Sequence, residues 1–265
     1  MSFMDHLDAL RGHLFRSAIA IAIGAIFVGI YNNFFVKRVL MGPTHADFPT
    51  YGLLCRIGNA LHLKDLCMQG IGIKMQSTDV STQFSMFFSV VLIGGFIIAF
   101  PFVFWEFWRF IKPALKPKEL RSTRGVIFWV SLLFFLGVLF GYFVIAPYTV
   151  NFFANFQLDS SIENRWTINS YVDTLVPLIL GTGLAFQLPL AMFFLSKIGI
   201  VTASFLRRKR KHAIVIMLIV AGVITPPDVL SQVVVTLPLV LLYEVSIVLA
   251  KRVEKAKRAE ELETA

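Results

Sequence analysis

The residues of this chain that could do chemistry are a few carboxylates and amides in unusual surroundings. Asp5, Asp8, Glu106 and Glu119 stand among basic residues in the segments that flank long apolar runs. A carboxylate in such a place has two uses. It can make a local pair, as Glu119 would with Arg121 or Arg124, worth at most about 1 kcal/mol when exposed. Alternatively it receives a cationic ligand, because a guanidinium docks on a carboxylate through two parallel hydrogen bonds. A second set lies inside the apolar runs: Gln187 in AFQLP, Glu244 in LYEVS, Asp173 and Gln232. At membrane depth such groups either tie neighbouring helices together or face a partner or solute.

Catalytic signatures are missing from the sequence. It has no His-Glu-x-x-His, no Gly-x-Ser-x-Gly and no Gly-rich phosphate loop. The five histidines, His6, His13, His45, His62 and His212, lack metal-ligand spacing. His6 and His13 share a helix but lie about two turns apart, too far for one ion. The expectation is therefore no enzyme, no cofactor and no metal.

The elements that position these residues follow from composition. The 265 residues are 57% hydrophobic and 15% charged, with 27 Phe, and the mean hydropathy is +0.73. That is far more apolar surface than a soluble domain needs, so the chain reads as an all-α polytopic membrane protein. Its net charge of +9 lies in blocks between apolar runs, without the aromatic-interleaved groove or zinc pattern of a nucleic-acid binder. No cleavable signal is expected, since the first apolar run is too long and lacks a small-residue cleavage site.

Residues 1–16 read as a polar, amphipathic helix with Leu7, Leu10 and Leu14 on one face and Asp8 and Arg11 beside it. A membrane domain over 17–250 then carries six spans, at about 17–36, 82–105, 125–147, 169–197, 213–225 and 229–250, and a charged tail fills 251–265. Pro177 and Pro189 are expected to bend the fourth span. Of the 25 Lys and Arg, 19 fall on one side of this arrangement and 6 on the other. Cationic loops stay inside, so both termini are expected in the cytoplasm. Cys55 and Cys67 then fall in an exported loop, either closing a small disulfide ring or remaining free thiols.

The last two spans form a hairpin about Thr225-Pro226-Pro227-Asp228, where two prolines without amide donors end the helix. The arm from Ala213 to Thr225 rises about 20 Å at 1.5 Å per residue, short of the roughly 30 Å hydrocarbon core. Either the helix extends on the wet side or the bilayer is thinned beside it.

The ordered motifs HLDALR, FWRFIKPALKPKE, AFQLP, TPPDVLSQ and LYE, spread over His6 to about Lys251, resemble the TatC family of twin-arginine protein translocases. The resemblance implies a curved, glove-like wall of six helices, the fifth and sixth short. It implies a receptor in the bacterial cytoplasmic (inner) membrane that binds twin-arginine signal peptides of folded cargo and works with single-span TatA/TatB-type partners. The proton-motive force drives export in that family, the receptor complex contains more than one copy, and no nucleic acid takes part. Its signal-binding acids correspond to Glu119 in KPKE and to position 9, which here is Ala9. Either Asp8 substitutes from an angle turned by about 100°, or Glu119 works with a backbone acceptor. Arg11 belongs to the same N-terminal motif, and Phe110 matches a signal-contacting aromatic. Gln187 stands where many relatives carry Glu. Thr225, Asp228, Gln232 and Glu244 match the hairpin positions, with Thr225 and Gln232 expected to contact a partner's transmembrane helix. The alternative from another class is a secondary transporter, with Gln187, Asp173 and Glu244 lining a midplane site for a small solute.

Overall fold

The computed structural model describes residues 3–60, 75–114, 125–159, 161, 164–225 and 229–264. Lipid offers no hydrogen-bond partners, so an apolar run that crosses it must satisfy its own N–H and C=O groups, and a helix does so. Among the described residues five stretches are long and apolar enough to cross a bilayer: Asp8–Ile30, Thr82–Ile111, Val126–Asn155, Ile168–Ile198 and Gln232–Ala256. The fold is all-α and polytopic. The extended pairing described is one short parallel bridge, β1 (Met75–Gln76) beside β2 (Trp166–Thr167).

The chain forms two compact units, 1–132 with 150–176, and 133–149 with 177–265. In the first, α1 (Phe3–Ile30) runs unbroken through residues 16 and 17, where the sequence passes from polar to apolar. It packs along α3 (Thr82–Ile111). Glycine sets the closeness of that contact. A Cβ on Gly95 would lie 2.5 Å from the Ala25 nitrogen and 2.9 Å from the Ile21 carbonyl, and one on Gly24 would lie 2.7 Å from the Gly95 carbonyl. Within a membrane no hydrophobic force drives helices together, so backbone contact through small residues is what remains. Ala25 and Val28 are buried in this seam.

After Ile30 the chain widens into a π-helical segment, Phe35–Leu40, and the Leu40 carbonyl accepts the Tyr171 hydroxyl at 2.6 Å. Helix α2 (Pro49–Ala60) follows. Its Tyr51 is buried and donates to the Pro43 carbonyl at 2.7 Å. Burial pushes the Tyr51 phenol up to about 12, because the phenolate would lose its hydration. Cys55 on this helix is disulfide-bonded. Cys67, the other cysteine of the sequence, lies outside the described residues.

Helices α4 (Val126–Phe140) and α6 (Ile168–Ala185) have residues in both units, and α5 (Ala146–Asn155) follows a π-helical turn at Gly141–Ile145. The second unit adds α7 (Leu188–Ile198), α8 (Ala203–Arg208), α9 (Arg210–Ile224) and α10 (Val229–Thr264). Gly137 lies against Gly183, where an added Cβ would stand 2.8 Å from the Gly183 Cα. The expected bend in the fourth span is a local break. Pro189 has no N–H to give, and Gln187 takes φ −76°, ψ −7° ahead of it, ending α6 and opening α7. Helix α7 stops at Gly199, whose φ of 89° suits glycine. Helix α10 holds its neighbours by polar ties. The Tyr243 hydroxyl donates to the Leu206 carbonyl at 2.9 Å, and Glu254 Oε1 accepts the Ala203 amide at 2.7 Å. The expected fifth span is α9, only 15 residues long, rising about 22 Å.

Gly95→Leu should lower the melting temperature of the purified protein by forcing α1 from α3, at a cost of about 1–3 kcal/mol. Gly52→Ala on α2, where an added Cβ meets nothing within 4 Å, should be neutral or slightly stabilising. Tyr51→Phe should cost about 1 kcal/mol for the lost hydrogen bond. In the wild type the raised phenol contributes stability fully below the ordinary value near 10 and loses it as pH rises through about 12. Spectroscopic titration should therefore count one late-ionising tyrosine fewer in Tyr51→Phe than in the wild type.

Candidate functional site

The densest polar arrangement among the described residues lies where the middle of α1, at residues 13–16, meets the last turns of α3. Glu106 sits in the sequence WEFWR, on the face of α3 that α1 covers, and its side chain is only 1% exposed. A carboxylate removed from water has to be met by donors. Three residues supply them. Arg16 Nε donates to Oε2 at 2.9 Å, Arg109 Nη1 donates to Oε1 at 3.2 Å, and His13 Nδ1 stands 2.6 Å from Oε2. With the proton on Nδ1, the short contact from His13 is a hydrogen bond donated to Oε2. Arg16 Nη2, 3.0 Å from the same nitrogen, then abuts it without a hydrogen bond.

Helical spacing produces the cluster. His13 and Arg16 are three apart on α1 and Glu106 and Arg109 three apart on α3, so each pair shares a face. Aromatic rings close its sides. Phe110 meets the His13 ring edge-on at 6.0 Å, and the Arg109 guanidinium lies 5.2 Å from the centre of the Trp105 ring. Arg16 and Arg109 keep about half of their side-chain surface in contact with solvent.

The residues singled out from the sequence fall in three places. Near the cluster, Asp8 and Arg11 are exposed on α1, and Asp8 makes no hydrogen bond or ion pair among the described residues. Phe110 is half-buried beside His13, and Glu119 lies outside the described residues. At the break between α6 and α7, Gln187 is half-buried, while Asp173 is exposed on α6. In the hairpin, Thr225 is buried and its hydroxyl donates to the Ala221 carbonyl at 2.9 Å. Gln232 Nε2 donates to the Leu218 carbonyl at 2.9 Å, packed over Gly222. Glu244, read from the sequence as a polar group within an apolar run, is paired with Arg210 at 2.6 Å, both side chains near half-exposed. Asp228 lies outside the described residues.

Comparison with known proteins decides the family. The family model for the Sec-independent protein translocase protein (TatC) matches residues 5–238. The chain belongs to the TatC family. A TatC from Blattabacterium sp. subsp. Periplaneta americana is 38% identical, with 97% of each chain aligned. One from Desulforapulum autotrophicum is 35% identical over 99% of this chain and 89% of its own. Two crystal structures of the twin-arginine translocase receptor TatC superpose with TM-scores of 0.72 and 0.65 at 30% identity. They cover 92% and 94% of this chain and 99% of theirs. As a TatC-family protein the chain is a multi-pass membrane component of Sec-independent protein translocation.

Within this TatC-family chain the cluster and the hairpin pair should differ in energetic weight. Glu106→Ala strands two guanidiniums and an imidazole against one another. It should destabilise the purified protein by about 3 kcal/mol, the low end for breaking a buried pair, since both guanidiniums still reach water. A double-mutant cycle on Arg210 and Glu244 should give a coupling below about 1 kcal/mol. Chemical denaturation of both series checks the contrast.

Proposed function

We propose that the chain is the receptor subunit of a twin-arginine translocase, capturing twin-arginine signal peptides at the membrane surface. Support comes from one observation above all. The Glu106 cluster clamps α1 at residues 13–16 to the end of α3, so exposed Asp8, one to two turns earlier on the same unbroken helix, is held relative to the helix end from which the chain continues through residues 112–114 to Glu119. Asp8 and Glu119 are the acids assigned to the two signal arginines, with Arg11 flanking them and Phe110 packing on the apolar part of the signal. Each guanidinium would take a charge-assisted fork on a carboxylate. A lysine pair offers a point charge without that geometry.

The membrane is a bacterial inner membrane, with both termini in the cytoplasm. That orientation rests on the 19 to 6 division of Lys and Arg. Single-span TatA/TatB-type partners would dock at the α9–α10 hairpin, where Val215, Ile216, Ile219 and Val223 leave an apolar face of the short helix open. Gln232 offers its carbonyl oxygen nearby, and Thr225 would have to exchange its bond to Ala221 to take part. A helix of about 22 Å beside a roughly 30 Å core favours local thinning of the bilayer, which lowers the barrier to a folded cargo. Export is driven by the proton-motive force, and further copies of the chain join the receptor complex.

Glu119→Lys should abolish photocrosslinking of a twin-arginine peptide while leaving membrane insertion unchanged. Asp8→Asn should weaken peptide binding about tenfold, the equivalent of one charged hydrogen bond. Equal capture of twin-lysine and twin-arginine peptides by the wild type would refute the reading.

A further inference from the structure

An apolar groove of about 600 Å³ runs along the seam of α1 and α3, with Arg16 at one end. Its floor is made of small residues, Ala20, Gly24 and Ala99, and its walls of large ones, including Phe27 and Phe102. From Arg16 to Phe27 it extends about 16 Å along α1. That is close to half of the roughly 30 Å hydrocarbon core, or one leaflet. The polar end is electrically unbalanced. Glu106 is one negative charge shared by Arg16 and Arg109, which leaves a surplus positive charge. Arg16 and Arg109 are each about half-exposed and retain N–H donors beyond those given to Glu106.

We infer that this groove binds one acidic phospholipid, its phosphodiester on Arg16 and Arg109 and one acyl chain over Ala20, Gly24 and Ala99. The length of one leaflet, a cation with spare donors at the head-group end and an apolar floor are the complement of such a lipid. A partner's transmembrane helix fits less well. It would cross both leaflets and, at about 10 Å across, would not follow a groove that ends midway. The basic residues that flank a signal segment would be repelled by the surplus charge at the Arg16 end.

Native mass spectrometry of the detergent-purified chain, given equimolar phosphatidylglycerol and phosphatidylcholine of matched chains, tests the assignment. One phosphatidylglycerol should be retained with about tenfold preference, as expected for arginines near an anionic head group. Arg16→Gln should bring the ratio of the two lipids toward one. Ala20→Phe, which fills the floor from the lipid-facing side, should reduce retention of both, with helix content unchanged by circular dichroism. Glycerol phosphate alone should not bind measurably. Equal retention of both lipids by the wild type, or retention unaltered in Ala20→Phe, would overturn the proposal. So would displacement of the lipid by a synthetic single-span apolar helix, which would give the groove to a protein partner.

Discussion

A carboxylate denied water constrains much of the first unit. Glu106 is 1% exposed, and an unpaired charge there would cost several kcal/mol. Its partners come from its own helix and from α1. The requirement therefore fixes which face of α1 meets α3 and how far along the helices the two engage. Gly24 and Gly95 act at mid-seam with no polarity at all, allowing backbones to touch where side chains would hold them apart. Charge sets the register at the end of the helix pair, and small residues set the distance in the middle. Apolar surface cannot do either job, because lipid is as apolar as the side chains it would replace.

The same division of labour recurs in the second unit with different chemistry. Gly137 against Gly183 brings α4 and α6 together, while hydrogen bonds between side chains and backbone replace the ionic clamp. Tyr243 to the Leu206 carbonyl and Glu254 to the Ala203 amide fasten α8 to α10. Thr182, Thr225 and Thr236 turn their hydroxyls onto their own helices, so that burial orphans none of these three donors. The Arg210–Glu244 pair is near half-exposed on both sides, where water competes with it. It therefore contributes little to holding α9 on α10 beside the Gln232 bond to the Leu218 carbonyl.

The helices were legible in the sequence because their signal is local: runs of apolar residues bounded by Lys, Arg, Pro and polar loops. The shortness of α9 could be counted directly from the residues before Pro226. The break at Gln187 announced itself as Pro189, although a proline alone does not say whether a helix curves or parts. The Glu106 cluster was not legible. WEFWR shows an acid three residues before an arginine, which any exposed helix could carry. Its other partners, His13 and Arg16, lie 93 and 90 residues away, and nothing local pairs them. Glycine in an apolar run is equally silent: Gly24 and Gly29 look alike in sequence. Yet an added Cβ would collide with backbone at the first and barely reach Val91 at the second.

The buried acid also bears on how a basic surface could host a cationic ligand. Arg11 and Arg16 on the N-terminal half of α1 and Arg109 and Lys112 at the end of α3 make a combined field that would repel an incoming guanidinium. Glu106 offsets part of that field internally while occupying two of the arginines' donor sets. Asp8, in contrast, is exposed and unengaged among the described residues. An exposed acid on the same helix, about two turns from Arg16 and in no ion pair among the described residues, is therefore open to a ligand although Arg11 lies three residues on. On the proposed receptor reading the two carboxylates have separate duties. The inner one neutralises the platform, and the outer one, with Glu119, is left to discriminate. Specificity for arginine over lysine then resides in fork geometry at the outer acids, because simple attraction is largely cancelled by the residual positive charge beneath them.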